Sequence, residues 1–187
     1  MRIEARPYDH PDSLRLIAEV QQEYVVRYGS PDESPVDPAE FAPPLGRFYV
    51  GYVDGVAVVT GGWRDVHALD LGGAVGVVAP AARGRGLARA MLAWLERTAA
   101  DAGLTTMILE TGLKQPEAVE LYRTSGYTDV AAFGHYAEHE LSVHLGKTLG
   151  GEISGKQATG KQATDEQTTD EQTTDKEMTC PSTPSAS

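Results

Sequence analysis

A strand that passes through a turn of glycines and arginines into a helix constrains this chain more than any other feature. The stretch runs from Val75 to Arg89 and has the sequence VGVVAPAARGRGLAR. Its first apolar residues predict a buried strand, and apolar residues at helical spacing predict a helix over residues 86–102. Gly84 and Gly86 allow the backbone to turn sharply between the two elements. The stretch therefore predicts a strand and a helix joined in an α/β arrangement.

The charges at the start of this predicted helix are unusual. Arg83, Arg85 and Arg89 lie there, and the first acidic residue of the helix is Glu96. A helix N-terminus carries partial positive charge and ordinarily attracts acidic side chains. Arginines at that end are favourable when an external anion binds there, and a pyrophosphate fits, because backbone N–H groups and the helix dipole both stabilise it. The turn is thus a candidate pyrophosphate site.

Two other nucleotide-binding patterns fit the turn poorly. A nucleoside triphosphate loop needs Gly-Lys followed by Ser or Thr, which the turn lacks. A dinucleotide fingerprint needs Gly or Ala at the position of Arg89. A turn with a purely structural role would explain the two glycines but would leave the three arginines unexplained.

The rest of the chain up to about residue 148 alternates between strand and helix patterns. Helices are predicted to begin at residues 12, 86 and 116, with a short helical turn near residue 37. The predicted strands are residues 2–7, 48–53, 56–63, 74–78, 106–110, 127–130 and 141–145. This order predicts one α/β domain over residues 1–148, with a central mixed β-sheet flanked by about four helices.

Residues 149–187 have a different composition. A five-residue pattern runs through residues 155–179 as GKQAT, GKQAT, DEQTT, DEQTT and DKEMT. Such a segment has too few apolar side chains to offset the entropy of ordering it. We therefore expect a disordered low-complexity tail after the domain.

Composition narrows the class of protein further. The net charge of −11 disfavours nucleic acid as a partner and favours a cationic small molecule. No apolar run approaches the roughly 20 residues of a membrane span, and the N-terminus lacks a signal-peptide pattern, so we expect a cytoplasmic protein without membrane contact. The single cysteine, Cys180, excludes a disulfide within the chain, and the histidines lack metal-ligand spacing, so no metal is expected.

The turn resembles the defining motif of the GNAT superfamily of acetyl-CoA-dependent N-acetyltransferases, which is Arg or Gln, two residues, Gly, one residue, and Gly or Ala. Here the motif is Arg83-Gly84-Arg85-Gly86-Leu87-Ala88, after a Val78-Ala79-Pro80 lead-in. The resemblance continues over residues 109–112, 115–118 and 121–127. It implies a GNAT-like sheet and acetyl-CoA as co-substrate.

The resemblance also implies roles for particular residues. Backbone amides from Arg85 to Arg89 would hold the CoA pyrophosphate, and the strand at Val77 and Val78 would pair with the pantetheine arm. Gln115 stands where many relatives have an Asn that contacts this arm, and Tyr122 would donate a proton to the departing thiolate. The cofactor-binding residues predicted in this way are Val77, Val78, Arg83, Gly84, Arg85, Gly86, Leu87, Ala88, Arg89 and Gln115.

The sequence departs from the family at the usual position of the general base, where it has Gly72. Glu110, at the end of a predicted buried strand, is the candidate catalytic base, although a structural carboxylate or a loop residue would fit its position equally. His67 or Asp70 could take that role instead, the acceptor could bind already neutral, or the domain could bind acyl-CoA without efficient catalysis.

The resemblance implies transfer of the acetyl group from acetyl-CoA directly to an amine, for which a small molecule is the expected acceptor. Acetylation of a protein amine is the alternative within the same class. The alternative from another class is a weakly active acyl-CoA-binding or interaction domain. A homodimer is compatible with either class.

Overall fold

A computed structural model of the chain describes residues 1–66, 71–78 and 84–150, with the backbone alone for residues 66 and 71–78. The described elements belong to one compact unit, Met1–Glu152. The strands are β1 (Arg2–Ala5), β2 (Gly46–Val53), β3 (Val56–Val66), β4 (Leu71–Val78), β5 (Thr106–Gly112), β6 (Thr128–Asp129) and β7 (Ser142–Thr148). The predicted tail beyond residue 150 lies outside the described residues.

The α-helices are α1 (Pro11–Tyr28), α2 (Leu87–Asp101) and α3 (Pro116–Arg123), and a 3-10 turn spans Pro38–Phe41. The described part of the chain therefore has three α-helices, and the expected number of about four is not confirmed. Within these residues no helix has both the length and the apolar character that spanning a bilayer requires.

The seven strands form one mixed sheet in the order β1-β2-β3-β4-β5-β7-β6. Strands β4 and β5 are parallel, and the other paired strands are antiparallel. A parallel pair needs a crossover connection, which α2 provides between β4 and β5. The mixed α/β fold predicted from the sequence is thus confirmed.

The two long helices pack on opposite faces of the sheet. Leu16 of α1 is fully buried against Val50 of β2, whereas Leu95 of α2 belongs to a second core cluster that includes Tyr49. Successive side chains of a strand point to opposite faces, so Tyr49 and Val50 lie on opposite sides of the sheet. The helices that pack against them therefore cover different faces. The larger cluster lies under α2 and contains Met91, Leu92, Leu95, Ala99, Met107, Leu109 and Leu145.

The facing ends of β3 and β4 each extend further than the sequence predicts. Strand β3 continues to Val66 and β4 begins at Leu71, so the β4 strand includes the glycines at 72 and 73. Glycine is depleted from strands, and a pattern-based prediction therefore starts this strand too late. Here Gly72 and Gly73 pair with β3 on one side and β5 on the other, and these ladders override the local preference.

Candidate active site

The start of α2 differs from the start of α1. Helix α1 is capped by His10, whose Nδ1 accepts a hydrogen bond from the Asp12 amide at 3.2 Å, and Asp12 supplies an acidic side chain in the first turn. Gly86 stands at the corresponding cap of α2 without a side-chain hydrogen bond, and the first turn of α2 has no acidic residue. The first amides of any helix lack partners inside the helix. Among the described residues, α2 thus has no counterpart of the His10 cap and the Asp12 charge at the start of α1.

The backbone before α2 leaves room for a ligand. Gly84 and Gly86 have positive φ angles of 74° and 72°. A side chain is strained in this conformation, but a Cβ built at either position would meet no described atom within 4 Å. As far as the described residues go, the space beside both glycines is open, as the approach of a pyrophosphate to helix amides requires.

Arg89 has a partner within the chain, which the sequence did not reveal. Its guanidinium donates to the Thr124 hydroxyl at 2.7 Å and to the Ser125 hydroxyl at 2.9 Å. Both acceptors directly follow the last residue of α3, where a cation also interacts favourably with the helix dipole. The Arg89 side chain therefore joins the start of α2 to the end of α3, while its backbone remains in the first turn of α2.

Strands β4 and β5 separate before they end. Only Gly72 with Met107 and Gly73 with Ile108 are paired between them, although β4 continues to Val78 and β5 to Gly112. Beyond these pairs β4 keeps its ladder to β3 alone. The backbone at Val77 and Val78 thus has an edge that is unpaired with β5, and such an edge can bind an extended chain through main-chain hydrogen bonds.

A cavity of about 570 Å³ lies beside the last residues of β5. Three of the residues singled out in the sequence, Glu110, Gln115 and Tyr122, line it together. Other lining residues come from α1, the segment after α1, the segment before β7 and the start of β7; they include Tyr24, Tyr28, Asp32, Phe133, Tyr136 and Ser142. The fold therefore gathers residues that are far apart in the sequence around one volume of small-molecule size.

Tyr122 lies on α3, half-buried, with its ring 5.7 Å from the ring of Tyr127 in an edge-to-face arrangement. Burial raises the pKa of Tyr122 to about 12, and the nearby Tyr24 adds to the effect. At neutral pH the phenol is therefore protonated, which is the state that a proton donor needs.

Gln115 occupies the cap position of α3, where Pro116 begins the helix. Its Oε1 accepts a hydrogen bond from the Thr111 hydroxyl at 3.4 Å. Burial raises the pKa of Tyr24, and a hydrogen bond with the Gln115 side chain partly opposes that rise. Gln115 thus lies between β5 and α1 at the wall of the cavity.

Glu110 is a strand residue of β5, so its interpretation as a loop residue is wrong. Its Oε1 accepts a hydrogen bond from the Ser142 hydroxyl at 3.0 Å, and His144 is its direct neighbour on β7. Burial raises the pKa of Glu110, and the Ser142 hydrogen bond opposes that rise, as does the charge of His144. A carboxylate with a raised pKa beside a cavity is a chemically suitable proton acceptor, although structural carboxylates have the same signature.

His144 is a residue that the sequence did not single out. It is 8% exposed, and neither ring nitrogen has a hydrogen-bond partner among the described residues. The ring of Phe133 packs against it at 5.0 Å. Only the register of β5 and β7, which no local pattern encodes, places this imidazole beside Glu110.

Gly112 and Tyr28 form a second contact that sequence reasoning missed. A Cβ at Gly112 would lie 1.9 Å from the Tyr28 hydroxyl, which no real contact allows. Glycine at this position therefore permits the Tyr28 ring to approach the end of β5 and to line the cavity. Burial raises the pKa of Tyr28 and keeps it protonated.

Three of the predicted residues fall on parts of the chain that are not described. Arg83 of the turn lies outside the described residues, as do the alternative bases His67 and Asp70. Gly84, Arg85, Gly86, Leu87, Ala88 and Arg89 form the turn and the first residues of α2, with Leu87 buried and Arg85 exposed.

Comparison with known proteins agrees with this geometry. The sequence model of the acetyltransferase (GNAT) family matches residues 14–127. An IAA acetyltransferase from Azospirillum brasilense is 33% identical over 141 residues, which are 73% of this chain and 90% of the relative. The chain belongs to the GNAT family of acetyltransferases, and it is an acyltransferase of the kind that uses acetyl-CoA.

Solved structures have the same fold. A Klebsiella pneumoniae protein assigned as an acyl-CoA N-acyltransferase is 28% identical, with a TM-score of 0.64 over 79% of this chain and 97% of that chain. An acetyltransferase from Salmonella typhimurium, solved with its cofactor acetyl-CoA, is 17% identical, with a TM-score of 0.58 over 84% of this chain and 99% of that one. At that identity the second structure is evidence for the fold alone.

Proposed function

We propose that the chain acetylates a primary amine of a small molecule, with acetyl-CoA as the donor, Tyr122 as the proton donor and Glu110 as the base. The observation that carries the proposal is the cavity at the end of β5, which Glu110, Gln115 and Tyr122 line together. Its volume of about 570 Å³ suits a small acceptor. The Azospirillum relative, named an IAA acetyltransferase, also favours a small acceptor over a protein.

The start of α2 would hold the donor. The amides at the first residues of α2 and the open space beside Gly84 and Gly86 fit a pyrophosphate. The unpaired edge of β4 at Val77 and Val78 fits an extended pantetheine arm. Bound there, acetyl-CoA supplies the activated thioester, and the backbone N–H of Val78 would polarise its carbonyl.

Two side chains of the cavity would move protons. Glu110 would accept a proton from the acceptor ammonium, directly or through a water molecule, so that the neutral nitrogen can attack the thioester carbon. The new carbon–nitrogen bond forms as the carbon–sulfur bond breaks, and Tyr122 would give its proton to the departing sulfur. The nitrogen would lose its second proton to the Tyr122 phenolate, directly or through a water molecule, which leaves a neutral amide and restores the phenol. No covalent enzyme intermediate is needed in this direct transfer.

A screen for acetyl transfer tests the proposal. Purified protein, acetyl-CoA and a panel of primary amines are combined, and release of the CoA thiol is followed together with the mass of each amine. An acceptor whose mass rises by one acetyl group as thiol is released supports the function. Acetyl-CoA binding without transfer to any amine would instead favour an acyl-CoA-binding domain, and selective modification of peptides would favour a protein acceptor.

A further inference from the structure

Asp32 is held in one orientation at the mouth of the cavity. Its Oδ1 accepts three hydrogen bonds, from the Ser34 amide at 2.9 Å, the Ser34 hydroxyl at 2.6 Å and the Tyr136 hydroxyl at 3.0 Å. Its own amide donates to Oε1 of Gln21 on α1 at 2.8 Å. These contacts fix the Asp32 carboxylate between α1 and the segment before β7, although Asp32 itself lies in a loop.

The second carboxylate oxygen of Asp32, Oδ2, takes no part in these hydrogen bonds. Among the described residues, Oδ2 has no hydrogen bond, and Asp32 lines the cavity. The charge of Asp32 raises the pKa values of Glu110 and Tyr24, both of which line the same cavity. A carboxylate that is rigidly held, has one oxygen free and acts across a cavity is suited to bind a cation.

The surroundings of Asp32 are aromatic. Tyr24, Tyr28, Phe133 and Tyr136 all line the cavity, and aromatic rings provide apolar walls and can attract an ammonium group. The ring of Tyr28 already has such a partner, because Lys114 Nζ lies 5.3 Å from its centre. Such walls do not suit an acceptor whose whole surface is polar, because its hydration would be lost without replacement.

The balance of charge in the cavity disfavours an anionic acceptor. Arg64 is the arginine among the described residues of the lining, and it forms an ion pair with Glu40 and lies 5.9 Å from the ring centre of Phe41. Its charge is therefore already neutralised, while Asp32 and Glu110 both face the cavity. Among the described lining residues, which also include His135 and His139, a carboxylate on the acceptor would meet two like charges and no arginine without a partner.

We propose that Asp32 is the residue that selects the acceptor, and that the acceptor is a cationic primary amine on an aromatic or bulky apolar body, without a carboxylate beside the amine. This inference rests on the proposed function, since it names the acceptor class of the same cavity. Asp32 would draw in the ammonium form and orient it, and Glu110 would then take its proton.

The experiment uses the full chain, with saturating acetyl-CoA and phenethylamine as the probe acceptor. Asp32→Asn keeps an oxygen for Ser34 and Tyr136 but removes the charge. We expect this variant to raise KM for phenethylamine about 10- to 100-fold, the usual effect of losing a charged hydrogen bond, with KM for acetyl-CoA unchanged. Glu33→Gln is the matched control: its carboxylate is next in sequence and outside the cavity lining, so KM should stay within about 2-fold.

A second measurement does not depend on a variant. We expect the unmodified chain to prefer phenethylamine over phenylalanine by about 10-fold or more in kcat/KM, and to bind phenethylamine more tightly than 2-phenylethanol, its neutral counterpart. Equal use of phenethylamine and phenylalanine, equal binding of the amine and the alcohol, or an unchanged KM in Asp32→Asn would overturn the inference.

Failure of the inference and failure of the proposed function give different results. If no amine is acetylated, the function fails, and calorimetric binding of phenethylamine in the presence of CoA still decides whether Asp32 selects cations. If amines are acetylated with equal efficiency by the unmodified chain and by Asp32→Asn, the inference alone fails.

Discussion

The two halves of the proposed site are built from different parts of the chain. The donor half, at the start of α2, consists of main-chain groups and of glycines with positive φ. The acceptor half, at the end of β5, consists of side chains from α1, β5, α3 and two connecting segments. Binding of the donor and chemistry on the acceptor can therefore be disturbed separately. Changes that block access to the backbone should affect the donor half, and removal of single functional groups should affect the acceptor half.

The largest expected effect is on the donor half. Gly86→Glu places bulk and negative charge beside the first amides of α2, where the pyrophosphate would bind, and forces a side chain into a backbone with φ of 72°. We expect binding of acetyl-CoA, measured by calorimetry, to be abolished, since several hydrogen bonds to a charged group are lost together.

Gly103→Glu is the control for backbone strain. Gly103 also has a positive φ, 96°, with no described atom within 4 Å of a built Cβ, but it follows the end of α2. Its variant should share the conformational penalty and bind acetyl-CoA like the unmodified chain. Equal loss of binding in both variants would mean that strain, and not the position of the pyrophosphate, explains the effect.

The next effect is on turnover in the acceptor half. Tyr122→Phe removes only the hydroxyl, so kcat should fall by about 10² to 10⁴, the usual range for one general acid, with little change in acetyl-CoA affinity. Steady-state kinetics with an identified acceptor, together with calorimetry, separate these two quantities. Turnover at the unmodified rate would rule out Tyr122 as the proton donor.

Tyr127→Phe is the matched control for Tyr122→Phe. The Tyr127 ring packs against Tyr122 at 5.7 Å, but Tyr127 is absent from the cavity lining, and burial raises the pKa of its phenol. Loss of this hydroxyl should leave kcat within about 2-fold, because the group is remote from the reacting atoms. A fall like that of Tyr122→Phe would indicate a packing effect instead.

The smallest effect concerns Glu110 and is visible in the dependence on pH. Burial raises the pKa of Glu110, so activity should be lost as pH falls through this raised value, and Glu110→Gln should remove that acidic limb with about a 10²-fold loss of rate. Glu120→Gln is the control, because Glu120 lies on α3 and outside the cavity lining. If Glu110 is the base, this control variant should keep the acidic limb and the rate of the unmodified chain.

The same raised pKa makes a prediction about stability. The folded state binds the Glu110 proton more tightly than the unfolded state, so the contribution of this group is present below the unfolded pKa and is lost as pH rises through the folded one. At neutral pH, Glu110→Gln should therefore unfold at the same or a higher temperature than the unmodified chain. A clear decrease in Tm would indicate that the ionised carboxylate is structural.

The turn and the helix start that form the proposed donor half could be predicted from the sequence because they are local. Gly84 and Gly86, the cap of α2 and the strand before it lie within a few residues of one another, and backbone requirements leave a direct mark on residue type. The turn at Asp54 and Gly55, both with positive φ, is local in the same way and joins the two predicted strands at residues 48–53 and 56–63 as a hairpin.

The acceptor half was predicted only in part because it depends on tertiary contacts. Asp32 and Tyr136 are 104 positions apart, and His144 meets Glu110 through strand register alone. No local periodicity records either contact. Arg89 is a case in which the local pattern suggested a different partner. Its place in a charged turn suggested an external anion, whereas its side chain binds Thr124 and Ser125, the residues that follow α3.

The most direct test of the donor half compares the starts of the two long helices in one experiment. Backbone amide shifts are recorded by NMR as acetyl-CoA is added, for residues 85–89 at the start of α2 and residues 12–14 at the start of α1. We predict that the amides of residues 85–89 move progressively to the shifts of a hydrogen-bonded state and saturate with the ligand, while the amides of Asp12 and Leu14, which already donate to His10, stay in place. Saturating binding that leaves the amides of residues 85–89 unmoved would contradict the account.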